Sequence, residues 1–157
     1  MRFLITGALR AAGGPRKLLS LALIGFGLFV LSRATLDLAE LGLTPETVRG
    51  ALHRDSGVAA GWLPALERLH VDLFLYSTLA LFLSALLVQA RLSPRTRQSL
   101  VYLVFVIPFC GALVRLLAYP LSGAAFVYAW FWPLITLFLL LVILGLLRDL
   151  WKNPGQP

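Results

Sequence analysis

The sequence predicts an all-α membrane protein: a four-transmembrane-helix antiparallel bundle with a short external amphipathic helix between the first and second spans. Three observations carry this. Of the 157 residues, 59% are hydrophobic. The apolar residues fall into four long runs: Leu18 to Ser32, continuing past Arg33 to Leu36, then Leu73 to Ala90, Ser99 to Val114 and Leu116 to Leu147. A bilayer core takes roughly 20 apolar residues per helix, so the last run is a turn plus one span. Finally, the gaps between runs alternate in charge character. The expected organisation is a single transmembrane domain over 1–157, with helices at about 17–36, 64–90, 98–118 and 124–150 and an external loop at 37–63.

Charge sets the expected orientation. One face carries Arg2, Arg10, Arg16, Lys17, Arg91, Arg95, Arg97, Arg148 and Lys152 against Asp149. The other carries Arg33, Arg49, Arg54, Arg68 and Arg115 against Asp37, Glu40, Glu46, Asp55, Glu67 and Asp72. The formal charge of +7 is therefore concentrated on the first face. By the positive-inside rule both termini are expected in the cytoplasm and 37–70 outside. The basic excess points to anionic lipid headgroups and gives no reason to invoke nucleic acid. A basic arm before an apolar run also suits a signal peptide, but the run is long and no clear small-x-small cleavage site follows. The single cysteine, Cys110, forms no internal disulfide.

The elements follow in order. Gly13, Gly14 and Pro15 precede the first span, and Arg33 is expected to snorkel to the outer headgroups. Thr44-Pro45 is a helix start, with the hydroxyl as N-cap and proline in the first helical position. A short external helix is expected to run from Pro45 to about Leu52, closed by Asp55-Ser56-Gly57. Trp62 and Leu63 read as an interfacial anchor, and Pro64 opens the second span. The tight loop at 91–98, with Ser93-Pro94, makes the second and third spans antiparallel neighbours. Pro108 and Pro133 are expected to kink their helices. Tyr128, Trp130 and Trp132 read as an outer aromatic belt, with Trp151 at the opposite interface.

Few residues carry chemistry. Asp72 and Arg115 lie at similar expected depth, and ionisable groups in a membrane are expensive unless paired, so they read as an ion pair. A proton relay would need further polar groups deeper in, where the spans offer Ser77, Thr78, Ser84, Tyr102 and Thr136. Those residues read as helix-to-helix hydrogen bonds. Gly25 with Gly27, and Ala80 with Ser84, allow close helix approach. Of the two histidines, His53 falls in the external loop and His70 at the outer end of the second span. His70 reads either as an interfacial group or as an axial ligand for b-type haem, in which case a dimer or partner must supply the second ligand. No metal cluster is expected, and the sequence contains no Walker loop, zinc-ligand set or nucleophile elbow.

Leu43-Thr44-Pro45-Glu46, Leu66 to Phe74, Pro108-Phe109-x-Gly111-x-Leu113, Ala125-Phe126-Val127 and Leu150-Trp151 together resemble a family of small uncharacterised bacterial four-span proteins that occur beside membrane redox components. In that family a second histidine often stands two residues after the first, where this chain has Asp72. The outer end of the third span there is often acidic, where this chain has Arg115. The two departures are complementary. Glu67-Arg68 and Arg115-x-x-x-Tyr119 more distantly resemble membrane-associated enzymes of glutathione metabolism, though the Arg-Ala-x-x-Asn core of their second helix is missing.

The expectation is therefore an inner-membrane accessory subunit, not an enzyme, that docks to other membrane protein subunits of an electron-transport assembly. Glu46, His53, Asp55 and Trp62 are the interface candidates. A haem-binding carrier using His70 is the alternative, and a glutathione-dependent membrane enzyme the third. The resemblance implies a bacterial inner membrane as the location.

Overall fold

The fold comes from a computed structural model and is described for residues 13–55 and 63–151; the side chains of 13–15, 52–55, 63–65 and 122 lie outside that description. Five helices follow in order: α1 Gly13–Leu41, α2 Pro45–Asp55, α3 Leu63–Leu87, α4 Pro94–Leu117 and α5 Ser122–Trp151. Four of them, α1, α3, α4 and α5, are long and apolar enough to cross a membrane. The chain is thus a multi-pass, all-helical membrane protein.

The spans are longer or differently bounded than the apolar runs. Helix α1 continues five residues past Leu36 to Leu41. Its buried positions Ser20, Leu23, Val30, Asp37 and Leu41 repeat at steps of three, four and seven, a single inward stripe that carries the helix through the charged residues. Gly42 stops it: its φ of +74° belongs to the left-handed region, and its N–H donates to the Leu38 carbonyl at 3.0 Å. Helix α2 then starts on reciprocal caps. Thr47 N–H donates to Thr44 Oγ1 and Thr44 N–H donates to Thr47 Oγ1, both at 3.2 Å. Helix α4 starts four residues before its expected position because Ser93 and Pro94 repeat the Thr44-Pro45 arrangement. Ser93 Oγ accepts from Thr96 N–H at 3.2 Å. Arg97, expected in a loop, lies in α4 and donates to the Val88 carbonyl just beyond the end of α3. Both α4 and α5 run continuously through Pro108 and Pro133.

Helix α5 is the hub, packing against α1, α2, α3 and α4. The main core joins Leu23 and Val30 of α1, Leu79, Leu83 and Leu87 of α3, Val104 of α4, and Ile135, Leu139 and Ile143 of α5. A second cluster closes one end, where Val48 of α2 is fully buried with Leu41, Ala118, Ala125, Ala129 and Trp132. Helix α2 therefore lies folded onto the bundle and is not a free appendage. At the opposite end Trp151 Nε1 donates to Ser20 Oγ at 3.0 Å, and the Arg16 guanidinium stacks 4.4 Å from the Trp151 ring centre. Close helix approach occurs at Gly111 of α4, where a Cβ would collide with Ile135 Cδ1, while Gly25 faces open space. Of the expected aromatic belt, Trp130 faces outward but Tyr128 and Trp132 are buried. They sit four residues apart on the inward stripe of α5, which continues through Ile135 and Leu139.

Gly42→Ala is expected to lower thermal stability in mild detergent by about 1–2 kcal/mol, the cost of holding an L side chain in the left-handed region. The added Cβ would also stand 2.6 Å from Thr47 Oγ1. Gly25→Ala, with no atom near its Cβ, is the control and should not lower stability.

Candidate functional site

Charge inside a bilayer must be neutralised locally, and the bundle does so with four side chains from three helices. Asp37 and Asp72 are buried, Arg115 is 4% exposed and Arg33 is half-buried. Arg115 Nη1 donates to Asp72 Oδ2 at 3.0 Å. Arg33 Nη2 stands 3.0 Å from Asp72 Oδ1 and 3.4 Å from Asp37 Oδ1. Arg115 Nη1 also lies 3.6 Å from Asp37 Oδ1. Asp72 is thus held between two guanidinium groups, with Asp37 as the looser second carboxylate.

Local sequence explains each placement. Arg33 and Asp37 are four residues apart on α1, one turn, so their side chains meet on one face. Arg115 ends the buried stripe Val104, Pro108, Gly111, Ala112, Arg115 of α4. The Arg115 guanidinium also lies 5.9 Å from the Tyr128 ring centre. Arg33, expected at the outer headgroups, turns inward, because two carboxylates within reach hold it more strongly than water at the rim would. Asp37, expected in the loop, belongs to the membrane helix. Its place on the Leu23–Val30 stripe was the sequence signal for this.

The quartet is neutral in sum but leaves hydrogen-bonding groups over. Arg115 Nε and Nη2, Arg33 Nε, Asp37 Oδ1, Trp132 Nε1 and Tyr119 OH are buried without a hydrogen-bond partner in the protein. Asp37, Asp72, Tyr76, Arg115, Tyr128 and Trp132 line a cavity of ≈ 10 Å³, about the size of one water molecule. Beyond the quartet the interior closes over with Leu79, Leu83, Val104, Ile135 and Leu139. Among the described residues the other polar side chains form no path: Ser77 and Tyr102 are exposed, Thr78 and Thr136 donate to carbonyls of their own helices, and Ser84 is buried alone.

His70 is exposed on α3 and is not one of the four. Among the described residues no three of His, Cys, Asp or Glu group as metal ligands. Of the interface candidates, Glu46 is exposed in the first turn of α2. His53 and Asp55 fall in the last turn of α2 with their side chains outside the description, and Trp62 lies outside the described residues.

Removing one member of a buried ion pair strands its partner. Asp72→Ala or Arg115→Ala is expected to cost about 3–5 kcal/mol of stability in detergent, and the double substitution to recover part of that loss. Strictly additive losses would contradict the coupling. Asp37→Ala should cost less than Asp72→Ala, since its contacts are at 3.4 and 3.6 Å where those of Asp72 are at 3.0 Å. Thermal or denaturant unfolding of the single variants tests that order.

Comparison with family models, with curated proteins and with solved structures finds no match to this chain.

Proposed function

We propose that the chain is an accessory subunit of a larger bacterial inner-membrane assembly, with its termini and the α3–α4 turn in the cytoplasm, and that it is not itself an enzyme. The observation that supports this reading is the closed quartet. The three buried charges among the described residues, with Arg33, are spent on one another at one end of the bundle. The apolar interior beyond them gives protons or ions no polar route. What the bundle offers a partner is its outside: apolar helix faces and the exposed polar side of α2, with Glu46 and Arg49. The link to electron transport rests on the resemblance of residues 43–151 to four-span proteins found beside membrane redox components. The orientation rests on charge, since Arg16, Lys17, Arg91, Arg95, Arg97 and Arg148 share the end opposite the quartet.

Affinity purification of the full chain from native membranes in mild detergent tests the docking role. Other membrane subunits should co-purify in fixed ratio, and Glu46→Lys with Arg49→Glu should weaken their recovery while the bundle stays folded. Recovery of the chain alone would overturn the reading. A Soret band at one haem per chain, lost in His70→Ala, would replace it with the carrier reading.

Orientation is tested separately with Gly50→Cys and Gln98→Cys, each in a Cys110→Ser background; both positions are exposed. An impermeant maleimide added to intact cells should label position 50 and spare 98. The reverse would invert the topology.

A further inference from the structure

At the basic end of the bundle, helices α3, α4 and α5 leave an open groove of ≈ 330 Å³, within the size range of small-ligand sites. Its walls are Leu87, Leu92, Leu100, Phe138, Leu141 and Leu146, and Asp149 is its one charged lining residue. Along α5 the lining runs from Phe138 to Asp149, roughly 16 Å at 1.5 Å per residue. One leaflet of a bilayer has a hydrocarbon depth of about 15 Å. The length of the groove therefore matches the depth of one leaflet. Its mid-wall holds Gly145, where a Cβ would meet nothing within 4 Å.

The charged surroundings select the occupant. Arg91 lies between lining residues Ala90 and Leu92, and Arg148 precedes Asp149. Arg95 stands in the first turn of α4, the positive end of that helix dipole, where no acidic residue offsets it. Asp149 is already engaged, accepting the Arg91 backbone N–H at 3.2 Å. An apolar slot one leaflet deep, opening among arginines, matches a phospholipid with an acyl chain in the slot and an anionic headgroup at its mouth. We infer that this groove is a binding site for one anionic phospholipid of the leaflet at the basic end. The inference is independent of the docking role.

The test uses the purified full chain in mild detergent, titrated with phosphatidylglycerol or phosphatidylcholine of identical acyl chains and followed by thermal unfolding. Phosphatidylglycerol should raise the unfolding temperature saturably and phosphatidylcholine much less. Gly145→Phe fills the slot from an exposed position and should abolish the difference while keeping the lipid-free unfolding temperature near that of wild type. Arg91→Gln with Arg95→Gln should reduce phosphatidylglycerol to the phosphatidylcholine response. Equal responses to both lipids in the wild type, or an undiminished phosphatidylglycerol response in Gly145→Phe, would reduce the groove to ordinary annular lipid contact and overturn the site. A photo-crosslinker at Leu141 in native membranes should capture lipid; capture of a protein in its place would assign the groove to a partner helix and overturn it equally.

Discussion

Asp72 held between Arg33 and Arg115 is the interaction on which the rest of the bundle depends. A carboxylate at that depth is tolerated only with partners at contact distance, and the two guanidinium groups come from helices on either side of α3 in sequence. Meeting that demand fixes the rotation of α1 and α4 about their axes and the relative height of all three helices. Apolar side chains facing lipid on one side and one another on the other have little such power, because Leu against Leu and Leu against an acyl chain differ mainly in packing. The quartet thus supplies register, while the Leu, Ile and Val core supplies close contact.

Helix α5 has a different part. It carries no charge between Ser122 and Leu147 and packs against every other helix. Its buried Tyr128 and Trp132 bring polar tips to the quartet from the fourth side, and its first turns receive Val48 of α2. The end of the bundle that holds the quartet is therefore covered by α2 as well as by the spans.

The apolar runs made the four spans legible, because length and hydropathy are properties of single segments. The Asp72–Arg115 proximity was readable as well, from two charges at equal depth in neighbouring helices. Asp37 lies beyond the expected end of the first span because a charge marks the edge of an apolar run, whereas Arg33 lies within the expected span and differs only in turning inward and not to the headgroups. The stripe Leu23–Val30–Asp37 shows that periodicity is the better guide to where a membrane helix ends its inward face. Ser93-Pro94 carries the same start signal as Thr44-Pro45, but the arginines that follow it mask a helical first turn in the sequence. The inward rotation of Tyr128 and Trp132 was beyond a rule that places aromatics at interfaces. It follows only from the stripe they share with Ile135 and Leu139.

Chain order also bears on how the bundle is made. Helix α1 enters the membrane with Arg33 and Asp37 one turn apart, already able to neutralise each other. When α3 follows, its Asp72 meets an arginine that is in place. Arg115 arrives last, on α4, to find two carboxylates waiting. With α1 and α3 in place the three charges sum to −1, and only Arg115 brings the quartet to neutrality, so the insertion of α4 is the step that completes the compensation of Asp72.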